Sequence, residues 1–384
     1  MKKKFLYNLS RNLFHFIKRK IHFINQCNIK RYEKEGKLIS LYDLDNYLNI
    51  AKPVIINSIS KKNLRVGLVK PIENEDYKGY VNNRAYWTKY ERFLKSNNYN
   101  YCFYNIHLSN WIEEADKFDI IIWHTYSSPD IQEEAETKIY FLEKFLKKKC
   151  FPSFDEIWSY ENKVRASYLY KFFNLPAIPT FVSQNKLDAM DYINKTTFPI
   201  ISKITTGSSS NDVIKLKNKK QALKYVDSCF SEIGRKTYWP YLRQKNYVYF
   251  QKFIEDATYD LRIIVIGNKV FGYYRYAKRG DFRASGAGIV DKKSLPEQAM
   301  LLAINAKKML NSSTLAVDML YSEKEQKFFI IETSIFIGVD TAEQLVVDGK
   351  PGYYVFDDSK TFTFNEGKFW IQELSLAEFF SNLN

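Results

Sequence analysis

The chain has 384 residues, 45% of them hydrophobic and 17% aromatic, enough to bury a large core in two or three domains and too apolar for a disordered protein. Its formal charge of +15 is concentrated at one end: the first 62 residues hold fourteen Lys and Arg against four Asp and Glu, and the remainder is only mildly basic. Cys27, Cys102, Cys150 and Cys229 form no CxxC pair, and histidine occurs only at 15, 22, 107 and 124, which excludes a clustered-thiolate zinc site and, beyond residue 124, any Ser-His-Asp triad or His-ligated metal.

No stretch reaches about 18 uncharged apolar residues, so no transmembrane helix is expected, and the scattered cysteines point to a reduced, cytoplasmic protein. In "MKKKFLYNLSRNLFHFIKRKIHFI" Lys4, Asn8, Arg11, His15, Lys18 and His22 recur on one side of a helix, while Phe5, Leu9, Leu13, Phe16, Ile17, Ile21 and Ile24 gather on the other. Arg11 interrupts what would be the apolar core of a signal peptide. Two readings of this basic amphipathic helix stay open: packing on its own protein, or docking of residues 1–24 on an anionic membrane surface at the inner face. Its aromatics line the apolar face and do not alternate with cations on a strand, so no nucleic acid is expected as a partner.

Residues 1–62 are thus a helix and connector. From "NLRVGLVK" a new pattern begins: a buried strand, the aromatic helical stretch "YWTKYERFLKSNN", and the strands "YNYCFYNI" and "FDIIIWHTY". This alternation predicts a small α/β domain over residues 63–155 with a mostly parallel sheet, closed by the helix "KIYFLEKFLKKKC". A further unit is expected over residues 156–384.

Within that unit, "FPIISKITTGSSSNDVIKL" reads as strand, small-residue loop, strand. Gly207, Ser208, Ser209 and Ser210 offer backbone and hydroxyl groups with little to obstruct them, and Lys203 is a point charge nearby; a plain exposed hairpin loop would look the same. Next, "LRIIVI" and "KVFGYYRY" flank Gly267 and Asn268, a hairpin signal. Pairing outward from that turn sets Ile266 opposite Lys269, Arg262 opposite Tyr273, and Asp260 opposite Arg275. Lys278, Arg279 and Arg283 crowd the following residues with Asp281 as their one carboxylate. In the second hairpin, "TLAVDML" and "KFFIIETS", folding about the turn at 323–326 brings Asp318 opposite Ile331 or Glu332, two carboxylates in otherwise oily strands. A divalent cation with oxygen ligands, Ser334 adding a third oxygen from the same face, would compensate the repulsion. One carboxylate turned outward, or held by an arginine, would relieve it too.

In this order the pieces resemble the ATP-grasp carboxylate–amine ligases, in particular the branch of the ribosomal-protein glutamate ligases. The resemblance covers roughly residues 156–340 and is carried best by "QKFIEDATYDLRIIVIGNKVFGYYRYAKRGDFRASGAG". It implies an α/β (α+β) chain in which the small N-terminal domain precedes an ATP-grasp fold of two α+β subdomains. It also implies ATP and Mg2+ (or Mn2+) as cofactors. By position in the family pattern, Lys163 would touch ATP, Lys203, Gly207, Ser208 and Ser209 would meet the phosphates, Lys252 and Phe253 the adenine, and Asp260 the ribose. Arg275 and Arg283 would lie near the transferred phosphoryl group, with Gly286 and Gly288 letting the backbone approach, and Asp318, Glu332 and Ser334 would hold the metal. The integrin-type letters in "RGDFRASGAG" (279–288) are then part of an anion clamp. Two departures accompany the match: Ser334 stands where asparagine is usual, and the loop lacks the second glycine of relatives. The implied reaction is an ATP-dependent ligation of a carboxylate with an amine (or thiol) through an acylphosphate. The carboxylate would be a small molecule or sugar-linked, and the basic helix suggests a surface-polysaccharide substrate. The departures leave a non-catalytic nucleotide-binding scaffold or sensor as the alternative.

Overall fold

The computed structural model describes residues 38–56, 63–70, 76–77, 79–207, 212–285 and 287–383. The basic helix expected over residues 1–24, Ser208, Ser209 and Gly286 lie outside the described residues. No described helix is long and apolar enough to cross a membrane.

The strand and helix alternation after residue 63 produces β1 (Arg65–Val69), α1 (Tyr86–Ser96), β2 (Asn100–Tyr104), β3 (Ile120–Ile122), α2 (Pro129–Lys144) and β4 (Lys149–Phe151). The strands form one parallel sheet in the order β2-β1-β3-β4. An unbroken Ile-Ile-Ile run suits β3, which is buried throughout. On α1 the buried Tyr86, Tyr90, Phe93 and Leu94 fall at helical spacing and face the sheet. The predicted helix through "KKKC" ends earlier: Lys147 takes a left-handed conformation (φ 55°), and the Lys148 N–H closes back on the Leu142 carbonyl at 2.9 Å. Cys150 is therefore in a fourth strand.

A cross-link follows in α3 (Lys163–Phe172), whose N-cap Asn162 accepts from the Arg165 N–H. Then β5 (Thr180–Ser183), α4 (Lys186–Lys195), β6 (Ile200–Ser202), β7 (Ile214–Leu216), α5 (Lys219–Cys229) and β8 (Val248–Lys252) build an antiparallel sheet in the order β7-β6-β8-β5. Asn185 and Asn218 cap its two helices, each worth about 1 kcal/mol. Both helices lay alanines and aliphatics on one face of the sheet.

The second subdomain is an eight-stranded sheet that includes β9 (Asp260–Ile266), β10 (Lys269–Tyr276), β11 (Thr314–Ser322), β12 (Lys327–Ser334) and β13 (Lys350–Phe356), with α6 (Glu297–Met309) between β10 and β11. The order is β12-β11-β9-β10-β13, antiparallel at each step. The β9–β10 register is the one read from the sequence, down to Asp260 opposite Arg275, and Gly267 at the turn has φ +56°. Period-two alternation gives the sheet two chemistries. Leu261, Ile263, Val265, Val317, Met319 and Ile330 pack with Ala299, Ala303 and Ala306 of α6. The other face carries Asp260, Arg262, Tyr273, Arg275, Asp318 and Glu332 in cross-strand rows at one end and the buried Ile264, Ile266, Phe271 and Ala316 at the other.

The last helix, α7 (Ile371–Ser381), is buried along most of its length, its polar Gln372, Glu373 and Ser375 included. Leu376, Phe380 and Leu383 enter the same core as β1 and β3, far back in the chain. Glu373, fully buried, is paired to Arg92 of α1 at 2.5 Å and accepts from the Val54 N–H.

Candidate active site

Between the antiparallel sheet and the large one lies a cavity of about 350 Å³. Its lining includes Lys163, Lys203, Gly207, Lys252, Phe253, Asp260, Arg283, Asp318 and Glu332, so most of the residues singled out from the sequence converge on it. A cleft of about 30 Å³ adjoins it, sharing Lys163, Ile331 and Glu332, and is lined further by Glu161, Asn162, Tyr170, Tyr249, Arg262 and Ser334.

One wall is the polar face of β9–β12. Asp318 stands directly opposite Glu332, and the ladder then skips to Met319 opposite Ile330, leaving Ile331 as the bulged residue. The bulge settles which residue of β12 faces Asp318, as bulges beside functional sites commonly do by re-aiming a side chain. Asp318 is 2% exposed. The arginine alternative applies to it: Arg262 donates Nε to Oδ1 and Nη2 to Oδ2, both at 2.7 Å, and Arg275 Nη2 approaches Oδ2 at 2.7 Å. Burial alone would raise the Asp318 pKa, but the two guanidiniums outweigh it and hold the carboxyl well below the usual range.

Arg275 also donates Nη2 to both oxygens of Asp260, at 2.6 and 2.7 Å, so it sits behind the two aspartates and does not line the cavity. Its guanidinium is thus held from β10 by the aspartates of β9 and β11. Burial dominates at Asp260 and lifts its pKa to about 6 against the pull of Arg275.

Opposite this wall, Lys203 follows β6 and is 6% exposed; burial lowers its pKa to about 8, although Glu332 pulls the other way. Lys163 opens α3, where its Nζ donates to the Gly207 carbonyl and lies 3.6 Å from Glu332 Oε2. Thr205 ties the start of the small-residue loop to the same helix end, accepting from the Lys163 N–H at 2.9 Å and donating Oγ1 to Asn162 Oδ1 at 2.8 Å. Gly207 is accordingly held near both lysines. Lys252 also lines the cavity, and its ammonium pairs with Glu325 at 2.9 Å. Phe253 carries Lys215 over its ring at 3.5 Å and meets Phe282 edge-on at 5.9 Å. Arg283 lines the cavity, but its guanidinium folds onto Asp281 at 2.8 Å. Ser334 lies in the adjoining cleft and donates Oγ to the Phe336 carbonyl at 2.7 Å.

Arg262, Glu161 and Phe282 were not singled out from the sequence. Arg262 carried a signal, since residues two apart on a strand share a face and Asp260 had already marked that face. Glu161 carried none: it takes a left-handed conformation (φ 51°) just before α3, and burial lifts its pKa to about 7, with Lys163 opposing. His124, at the end of β3, stacks on Tyr86 at 3.8 Å and touches Phe336 at 4.7 Å; burial drops its pKa to about 3, so it stays a neutral packing group.

Asp318 and Glu332 fit a divalent cation in kind: they are hard oxygen donors on facing positions, and Mg2+ commonly takes one or two carboxylates, completing its shell with phosphate and water. Among the described residues no group of three or more His, Cys, Asp or Glu could enclose an ion without such help.

Residues 161–346 are matched by the model of the RimK-like ATP-grasp domain. The alpha-aminoadipate–LysW ligase LysX of Saccharolobus solfataricus is 26% identical over 179 residues, 45% of this chain and 61% of that protein. The chain therefore matches less than two thirds of that relative's length. Among solved structures, an ADP complex of N5-carboxyaminoimidazole ribonucleotide synthetase is 13% identical, covers 78% of this chain and 83% of its own, and has a TM-score of 0.51, a likeness of fold alone. A D-alanine–D-alanine ligase from Bacillus anthracis is 15% identical, covering 72% and 88%, with a TM-score of 0.48.

Proposed function

We propose, from a chain whose residues 161–346 belong to the RimK-like ATP-grasp family, that this protein is an ATP-dependent ligase joining a carboxylate to an amine. The observation that carries the reading is the convergence of Lys163, Lys203 and Gly207 with Asp318 and Glu332 around one nucleotide-sized cavity. Chemistry of this kind needs no histidine or covalent enzyme intermediate. The substrate carboxylate attacks the γ-phosphoryl group and ADP leaves; the amine then attacks the acyl carbon of the acylphosphate and inorganic phosphate leaves. Positioning and charge neutralisation supply most of the transition-state stabilisation.

Lys203 and Lys163 would receive phosphate oxygens, the Gly207 backbone would let them close in, and the strand-end backbone at Lys252 and Phe253 would hold the base. Arg283, released from Asp281, is the exposed fork best placed to clamp the phosphoryl end. Arg275 is a positioning residue that fixes Asp260 and Asp318. Around the inner end, Lys163, Lys203, Arg262 and Arg275 match Glu161, Asp260, Asp318 and Glu332 one for one. A triphosphate brings negative charge beyond that balance, which favours Mg2+ held by Glu332 and Asp318; the ion would neutralise phosphate charge there.

For the acid we propose a small-molecule or sugar-linked carboxylate, and for the place of action the cytoplasm, at the inner membrane face if residues 1–24 dock on anionic lipid. The test is an ADP-release screen of candidate acids and amines with Mg-ATP, with mass detection of the condensed product. ADP release that needs both partners supports the ligase. Tight nucleotide binding with no turnover across the screen would favour a nucleotide-binding scaffold.

A further inference from the structure

We infer that the Arg262 guanidinium holds, on Asp318, the place a divalent cation would take, and that it exchanges Asp318 for the carboxylate of the acid substrate once the cation is bound. The inference rests on the nucleotide-site reading above. Asp318 has about four acceptor positions on its two oxygens, and three are filled, two by the Arg262 fork and one by Arg275. The one open position is on Oδ1, which the Arg262 fork already shares, so like-charge repulsion favours a dication that displaces a donor. Arg275 is the harder to move, because it simultaneously bridges to Asp260 and is walled in between the two aspartates. Arg262 is anchored to Asp318 alone among hydrogen-bond partners of the described residues, and it lines the small cleft as well. When it lets go, Arg275 still satisfies Asp318, so no buried carboxylate is stranded.

The cleft also says what the freed fork would meet. Its lining holds one other cation, Lys163, already committed to Gly207 and Glu332, so Arg262 is the group available there for an anion. A planar fork that grips an aspartate bidentately fits another carboxylate equally well and a lone oxygen poorly. Since the cleft shares the Lys163–Glu332 edge with the nucleotide cavity, a carboxylate held there lies beside the phosphoryl end. Arg262 thus couples the arrival of the ion to recognition of the acid.

The test uses the whole chain with Mn2+, the non-hydrolysable analogue AMPPNP and [1-13C]acetate as the carboxylate probe, in wild type, R262Q and R262K. Electron paramagnetic resonance reads free Mn2+, and Mn2+-enhanced 13C relaxation reads acetate held near the ion. Both variants should bind Mn2+ about 10-fold more tightly than wild type, because the competing fork is gone even where lysine keeps the charge. Acetate relaxation should be enhanced in wild type and lost in both. Mn2+ binding that is unchanged or weaker in R262K, or equal acetate relaxation in all three proteins, overturns the exchange and makes Arg262 a fixed brace for Asp318. If R262Q does not fold, R262K alone decides. If wild type takes up no Mn-AMPPNP, the nucleotide reading itself is wrong, and the inference falls with it.

Discussion

Replacing Lys203 with methionine should make the protein more stable and worse at its work. The side chain is buried, and burial lowers its pKa from 10.5 to about 8. A folded-state pKa below the unfolded one means that the folded protein resists the proton: the penalty is complete below pH 8 and fades as pH rises towards 10.5. A shift of that size corresponds to about 3 kcal/mol at pH 7, which methionine, of similar length and no charge, would recover in part. The same charge should contribute about 1.5–3 kcal/mol to holding phosphate, so K203M should lose about 10- to 150-fold in affinity for AMPPNP. Wild-type affinity should itself fall between pH 7 and pH 9 as Lys203 deprotonates, while K203M is weak and flat across that range. Denaturant unfolding at pH 7 and pH 10, with calorimetric titration of the analogue, measures both. A K203M protein no more stable than wild type at pH 7, or one that retains the wild-type affinity and pH slope, would refute the reasoning.

Other substitutions separate structural from catalytic roles. Asp318→Ala leaves Arg262 and Arg275 buried without their shared partner and should cost about 3–5 kcal/mol in urea unfolding, Asp318→Asn clearly less. Arg283→Ala removes an exposed pair with Asp281 worth at most about 1 kcal/mol, so the melting temperature should hold while ADP release with the true substrate falls by about 100-fold or more; full turnover would remove its role. Phe380→Ala should cost about 3–5 kcal/mol, since α7 completes the N-terminal core. Loss of less than 1 kcal/mol would mean that the helix is not seated there.

Local chemistry was legible in the sequence wherever short-range pairing decided it. The Gly267–Asn268 turn admits one register, so Asp260 opposite Arg275 followed from counting, and alternation put Glu332 and Ser334 on one face of their strand. The choice between Ile331 and Glu332 was not legible, because a bulge is a property of two strands packed in a sheet. Nor was the arginine grip on Asp318: Arg262 comes from a strand 56 residues earlier, and only the order β12-β11-β9 makes them neighbours. The end of the last N-terminal helix was missed because a left-handed Lys147 stops it, a conformation lysine does not advertise. The destination of α7 was also out of reach. Its apolar residues announce burial without naming their partner, and here the partner is α1, nearly 300 residues back.

The central claim is that Lys203 and Glu332 bound a metal-dependent nucleotide site. Calorimetric titration of AMPPNP into wild type and Glu332→Gln, with and without Mg2+, tests it most directly. Uptake of one nucleotide per chain that Mg2+ strengthens at least 10-fold in wild type, and barely at all in Glu332→Gln, is the predicted result. No heat of binding in wild type with Mg2+ present, or an Mg2+ effect undiminished in the variant, would contradict it.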